Sequence, residues 1–439
     1  MGKFPNKKIK LRLPKKMEKQ FYECKKGKIK MQWIQELIQN HPDLVKFISI
    51  PVTCAFVGWI TNYIAVKMIF HPAEFWGIGK LGWKGIIPNH AVKMSSLIAK
   101  ILTERLVKPH ELFQRVDPNE ISHQIQDLID LKAKEIIKDI IATENPLLWS
   151  LLSDDIKKSL EDEVRKEIPK QIIEVYKSFG LELDNVLEFD EIIKSSLSGH
   201  KTSILIEMFQ RCGGPEFQFI IVSGLYFGFL IGLIQLAFIN ILGQWWTMPI
   251  MGVVVGYYTN WIALQMIFKP LEPKKYFFFF TYQGLFLKRQ EAVSKEFANV
   301  VAHNVLNTEN LIRLIFTGKG GDLIIKLVIE RAYKLTHEKM MEKAPLMPVL
   351  LGSEKVRHIK ETIAEKLIWI LPDVANRIQK YINDKLQIEK TIAERLSVLP
   401  KAEFEELLHS VFKEDELTLI ILGALLGGLV GLYQAYLVF

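Results

Sequence analysis

Between Phe217 and Phe268 the chain runs for 52 residues without an aspartate, glutamate, lysine or arginine. One bilayer crossing takes ~20 apolar residues. A run of this length is therefore two crossings joined by a tight turn, placed near Gly243-Gln244-Trp245. It lies at the centre of 439 residues and divides them into halves that resemble each other. The pattern predicts a multi-pass membrane protein with lipid as its surroundings.

The remaining spans are set by the same rule. Phe47 to Val66 is uncharged, with Lys46 and Lys67 near its ends, where long stems reach the interface. Spans are expected over 44–70, 217–242, 246–268 and 417–439. Residues 89–214 and 288–415 show helical periodicity instead: Met94, Leu97, Ile98, Ile101 and Leu102, then Ile121, Ile125, Leu128 and Ile129, fall on single helix faces. Asp117-Pro118, Asn145-Pro146 and Ser153-Asp154 punctuate the first of these stretches, and Cys212-Gly213-Gly214-Pro215 reads as its end. Glu74–Pro88 and Tyr276–Tyr282, rich in aromatic residues, read as interfacial loops. A hydrophobic content of 49% beside 24% charge fits spans alternating with charged helical domains. Residues 1–43 form a basic tail, twelve Lys or Arg against four acidic residues, read first as a solvated tail, with attraction to anionic lipid headgroups as the alternative.

The halves repeat in register. Gly256-Tyr-Tyr-Thr259-Asn260-Trp-Ile-Ala263-Leu-Gln-Met266-Ile267-Phe268-Lys-Pro270 matches the stretch from Gly58 to Pro72 at nine of fifteen positions, at an offset of 198. Gly423, Gly427, Gly431 and Gln434 follow Gly224, Gly228, Gly232 and Gln235 at an offset of 199. The expected fold is all-α: four transmembrane helices and two extramembranous helical domains, built as two parallel repeats, 44–242 and 243–439. Two crossings per repeat give both repeats one orientation and put both domains on one side.

The string Gly-x-x-Thr-Asn-x-x-Ala-x-x-Met-Ile-Phe-x-Pro, the following Gly85-Ile86-Ile87-Pro88 and the glycine-rich closing span resemble an uncharacterised family of bacterial membrane proteins, the YheB/YjiN-like domain-of-unknown-function family. In the second copy Gly284-Leu285-Phe286-Leu287 departs by lacking the proline. The resemblance implies a multi-pass protein of the bacterial cytoplasmic (inner) membrane and one such unit per member, which makes a tandem copy unusual. It implies no activity.

The strongest candidate site residues are Gly58, Thr61, Asn62 and Ala65 with Gly256, Thr259, Asn260 and Ala263, each set on one helix face. Packing of the Gly58/Thr61 face against the Gly256/Thr259 face is expected, and a polar site for a headgroup or ion is the functional alternative. The two glycine ladders, with GxxxG spacing, suit tight helix contacts between repeats or protomers, which leaves homo-oligomerisation open. Gln235 and Gln434 are expected to make interhelical hydrogen bonds. Cys24, Cys54 and Cys212 form no metal-binding or disulfide pattern. No nucleophile–base signature, cofactor motif or nucleic-acid motif occurs, and Thr317-Gly318-Lys319-Gly320-Gly321 lacks the order of a phosphate loop. The reading that uses most of the chain is a membrane-anchored structural or scaffold protein of the bacterial envelope and no enzyme. Lipid binding or lipid transfer is the alternative, marked by apolar helix faces too wide for a domain to bury by itself. A small-solute channel or transporter is weaker, because no span carries an ionisable residue near its middle.

Overall fold

The computed structural model describes residues 42–439 apart from positions 80, 145–149, 151–152, 243, 277–279, 344, 347, 350–351, 410–412, 414 and 439. The basic tail 1–43 lies almost wholly outside the described residues. The chain is mostly helical. Its long helices are α1 (Pro42–Phe70), α2 (Gln126–Glu144), α3 (Asp154–Leu181), α4 (Thr202–Leu242), α5 (Thr247–Phe268), α6 (Gly318–Lys343), α7 (Ser353–Leu386) and α8 (Glu416–Val438).

Among the described residues, four segments are long and apolar enough to cross a membrane: Phe47–Phe70, Gly199–Phe238, Thr247–Phe268 and Glu416–Tyr436. Three agree with expectation. The exception begins far earlier, because α4 runs straight through Cys212-Gly213-Gly214-Pro215, where the sequence predicts a break. A proline inside a helix forfeits one backbone hydrogen bond. Here a continuous face outweighs that loss: Leu205, Met208, Phe209, Cys212 and Phe217 are all buried. Glu216, also buried, takes both of its hydrogen bonds from Arg289, at 2.7 and 2.9 Å.

The chain divides into two units. The first groups the described part of residues 1–66 with 218–264 and 417–439. Large apolar side chains such as Phe56, Leu230, Ile250 and Leu429 cover its outside, while Thr61, Asn62, Gln235, Thr259 and Asn260 are buried. This inverted distribution suits lipid, where interior polar groups must be satisfied by protein. Ile50, Cys54, Val57, Leu236, Met248, Val255 and Ala435 form its apolar centre, drawn from all four spans.

The second unit comprises 67–217 and 265–416. Both helical stretches fall within this one compact unit, for a simple reason. The hairpin α2–α3 and the hairpin α6–α7 each carry an apolar stripe that neither can cover internally. α2 packs on α3, α3 on α6, α6 on α7 and α7 back on α2, closing a ring of four helices. Elsewhere in the unit, shorter helices Ala91–Ile101, Phe189–Leu197, Gln290–Val300 and Ile388–Ser397 form a close-packed cluster. Leu102, Ile193, Leu197, Val300, Val301, Val305 and Ile392 are completely buried there.

The fold also contains strand, which the all-α expectation omits. In the first interfacial stretch β1 (Trp76–Ile78) pairs antiparallel with β2 (Leu81–Trp83), and in the second β3 (Lys274–Tyr276) pairs with β4 (Phe280–Tyr282). Each hairpin is tied to the end of a preceding helix. Trp83 Nε1 donates to the Met68 carbonyl at 3.3 Å, and the Tyr282 hydroxyl donates to the Met266 carbonyl at 2.5 Å. Gly85 and Gly284 then pass so close to the ends of α1 and α5 that a Cβ would lie 2.8 Å from the Phe70 and Phe268 carbonyl carbons.

Candidate functional site

The sequence-selected residues of the spans come together, in a different pairing from the expected one. Gly58 on α1 meets Gly224 on α4, with a Cβ at Gly58 falling 2.2 Å from the Gly224 oxygen. Gly228 and Gly232 continue that contact against Cys54 and Pro51. The same arrangement recurs between α5 and α8: Gly256 lies against Gly423, Gly427 against Gly252 and Gly431 against Met248. The small faces thus pair α1 with α4 and α5 with α8. Gly58 therefore meets Gly224 and not Gly256.

The asparagines explain that pairing. Asn62 Nδ2 donates to the Ile220 carbonyl at 2.6 Å, and Asn260 Nδ2 donates to the Leu419 carbonyl at 2.8 Å. Each amide reaches its acceptor over a glycine: Gly224 and Gly423 leave room that any Cβ would fill. Thr61 returns its hydroxyl to the Val57 carbonyl at 2.9 Å, and Thr259 to Gly256 at 3.4 Å. Gln235 accepts from Cys54 Sγ at 2.9 Å, while Gln434, Ala65 and Ala263 are buried. The amide nitrogens of Asn62 and Asn260 and the Cys54–Gln235 contact tie helices together, the threonine hydroxyls bond within their own helices, and Asn62 Oδ1, Asn260 Oδ1 and Gln235 Nε2 are buried without a hydrogen-bond partner.

A larger feature lies in the helical unit, and the sequence reading did not find it. The ring of α2, α3, α6 and α7 lines a cavity of about 710 Å³ that is about half open to its surroundings. Ligand pockets commonly span ~300–1,000 Å³, whereas well-packed interiors hold few voids larger than a water. Its walls are stripes of aliphatic residues at helical spacing: Leu160, Val164, Ile168, Ile172 and Val175 on α3, Ile324, Val328 and Leu335 on α6, Ile359, Ile363, Leu367 and Ile370 on α7. Val164, Ile168, Ile172 and Val175 are only half-buried although they point inward, because open space faces them.

Five charged residues reach the lining: Lys132, Glu163, Glu167, Arg331 and Lys339. They are engaged along the seams between hairpins. Lys339 Nζ lies 2.7 Å from Glu163 and 3.4 Å from Glu167, and Arg331 lies 3.5 Å from Glu174, lacing α3 to α6. Lys366 pairs with Asp139 at 2.5 Å, and Lys132 sits 5.2 Å from the Trp369 ring centre, lacing α2 to α7. The hydrogen bond to Glu163, with Glu167 behind it, raises the Lys339 pKa. Lys170 and then Lys339 lower that of Glu167. Burial raises the Tyr176 pKa, and its hydroxyl donates to the Phe113 carbonyl at 2.5 Å with the two rings stacked 4.1 Å apart. The lining offers no nucleophile–base pair. It can hold an apolar molecule by contact.

Residues 52–183 match the model of a family described as a protein of unknown function, DUF445. A UPF0754 membrane protein of Listeria monocytogenes is 22% identical over 404 residues, covering 90% of this chain and 98% of that protein. A UPF0754 membrane protein of Staphylococcus saprophyticus is 21% identical over 390 residues, covering 87% and 94%. One from Staphylococcus carnosus is 25% identical over 133 residues, 29% of this chain and 34% of that relative. No solved structure matches. The chain is thus similar to the DUF445 / UPF0754 membrane proteins, of unknown function, and is itself a multi-pass membrane protein. Relatives aligned over nearly their whole length extend across both halves of this chain.

Proposed function

We propose that this chain is a lipid-binding protein of the bacterial cytoplasmic membrane, in which two parallel repeats each contribute one hairpin to an extramembranous bundle that takes acyl chains into its core. The observation that carries this reading is the 710 Å³ cavity, walled by aliphatic stripes from four helices. Such a space is hostile to water, which needs two to four polar partners per molecule. It suits a flexible hydrocarbon chain. The recurrence of the Thr-Asn face and the glycine ladder supports a duplicated origin for the hairpins. A scaffold role draws less support, because the broadest apolar faces of the bundle turn toward one another rather than outward.

The test is to load the full-length protein with a photoreactive phospholipid and map the crosslinks by mass spectrometry. Annular lipid labels only the spans. Crosslinks to α3, α6 and α7, removed by Val328→Trp and Leu335→Trp, would support the proposal. Crosslinks confined to the four spans would refute it.

A further inference from the structure

The spans α1 and α5 are each followed by a β-hairpin fixed to the last turn of the helix. Tyr282 in β4 gives its hydroxyl to the Met266 carbonyl, two residues before α5 ends at Phe268, and the Gly284 N–H bonds to the Pro270 carbonyl at 3.0 Å. In the same way Trp83 in β2 donates to the Met68 carbonyl of α1, and the Gly85 N–H bonds to the Pro72 carbonyl at 2.9 Å. A span ends where hydrocarbon gives way to headgroups, so each hairpin is held at that level.

Equivalent strands of the two hairpins carry different chemistry. At an offset of 198, Trp76, Gly77 and Ile78 of β1 correspond to Lys274, Lys275 and Tyr276 of β3. The first strand leaves Trp76 78% and Ile78 89% exposed. The second exposes all three of its residues, two of them cations. Side chains alternate along a strand, so Lys274 and Lys275 project from opposite faces of the ribbon. Their cross-strand neighbours, Tyr282 and Thr281, carry no charge. Residues 269–290 contain five basic residues and one acidic residue, Glu272. Of the five, Arg289 is engaged by Glu216 and Lys269 acts on Glu416. Lys274 and Lys275 make no ion pair among the described residues. Lys319, Lys339 and Lys366 of the same unit all meet carboxylates.

We propose that the β3–β4 hairpin is a docking surface for anionic phospholipid headgroups in the leaflet where α5 ends, with Lys274 and Lys275 as the cations that meet the phosphates. Three observations point to this occupant. The hairpin is bonded to the last turn of a span, so the surface next to it is the membrane's own. The corresponding strand of the other repeat turns a tryptophan and an isoleucine outward, side chains suited to the same layer, and Tyr276 suits it too. Two exposed lysines without carboxylate partners leave positive charge that a net-negative headgroup neutralises and a zwitterionic one does not. Lysine meets phosphate as a point charge on a flexible stem, without a fixed fork, so the surface selects lipids by net charge rather than by headgroup shape. Neither hairpin contributes to the lining of the cavity, and the docking does not rest on the lipid-binding reading above.

The experiment uses the full chain in phosphatidylcholine nanodiscs, with Cys24→Ser and with Thr281→Cys carrying a donor fluorophore; Cys54 and Cys212 are buried. Thr281 is exposed and lies directly across from Lys275. A small share of phosphatidylglycerol or of phosphatidylcholine, labelled with an acceptor on the acyl chain, is added, and energy transfer reads the preference between the two. Phosphatidylglycerol should be preferred, less so as salt rises, and Lys274→Gln and Lys275→Gln should each lower the preference by about fivefold. Lys326→Gln, at an exposed site on α6, should leave it unchanged. Equal transfer to both lipids overturns the proposal. So does a preference that survives Lys274→Gln combined with Lys275→Gln, or one that Lys326→Gln lowers as much. Inorganic phosphate at constant ionic strength should not compete; a preference that it abolishes would mark a site for a free anion and overturn headgroup docking.

Discussion

Removing lipid from the cavity should unlock the four-helix ring while leaving the cluster of short helices intact. A dry cavity costs about 24 cal/mol per Å³ in large-to-small core substitutions. At 710 Å³ this gives about 17 kcal/mol, more than the ~5–15 kcal/mol by which whole domains are stable. The figure is an upper bound, because the relation holds for closed voids and this cavity is about half open, and because helices close in on a space of this size. Even a third of it would leave the empty ring open much of the time. Water cannot fill the space at low cost, since its walls are aliphatic. An occupant bound at 100 times its Kd restores about 2.7 kcal/mol by mass action. Hydrogen exchange measures this peptide by peptide. After exhaustive detergent exchange, amides of α3, α6 and α7 should lose protection, and re-addition of phospholipid should return it. Peptides from Gln290–Val300 and Ile388–Ser397 should hardly change, because their core is fully packed. Unchanged protection in α3, α6 and α7 after delipidation would refute the reasoning, for it would mean that the ring is stable empty.

The other expectations concern helix contacts, charge and topology. Gly224→Ala should destabilise the α1–α4 contact by about 1–3 kcal/mol or more, since its Cβ would fall 2.2 Å from the Gly58 oxygen; Gly214→Ala, which meets open space, should be neutral or stabilising in a thermal unfolding assay. His409 Nδ1 donates to the Glu405 carboxylate at 2.7 Å, the ring stacks on Phe268, and its Nε2 lies 3.5 Å from Glu416, which is also held by Gln265. Glu416 and then Glu405 raise its pKa above the ordinary value of 6.5. A raised folded pKa means that the contact's stabilisation is full below the unfolded value and is lost as pH climbs through the folded one, so local exchange around Lys401–His409 should speed up above pH 6.5, and His409→Gln should remove that dependence. Glu163→Gln should change stability by less than about 1 kcal/mol, the usual worth of a partly exposed ion pair, as read by denaturant unfolding. Single cysteines at Ser153 and Ser353, which begin α3 and α7, should react with an impermeant thiol reagent from the same side of the membrane; labelling from opposite sides would defeat the parallel-repeat arrangement.

The sequence was most informative where one physical rule dominates. Hydrocarbon tolerates no free charge, so the empty stretch from Phe217 to Phe268 announces two spans, and the Gly58-Thr61-Asn62 face announces a close helix contact. The partner of that face was harder to read. Gly58 could meet Gly256 or Gly224 with equal chemistry, and only the reach of Asn62 to the Ile220 carbonyl selects α4. The break at Gly213-Gly214-Pro215 was legible as local propensity and wrong as structure, because burial of Glu216 against Arg289 and of the Leu205–Phe217 face is a tertiary fact. The cavity was invisible for a related reason. An isoleucine stripe on α3 says that something apolar faces it, and a helix in a packed core carries the same stripe. Whether the facing partner is side chain or open space depends on the distance between hairpins contributed by different halves of the chain. The hairpins meet along seams where Lys339 bridges to Glu163 and Glu167 and Lys366 bridges to Asp139. Those ion pairs add little stability, but they mark where charged side chains border an apolar interior. The polar residues that a sequence reading sets aside as solvated surface thus trace the rim of the cavity.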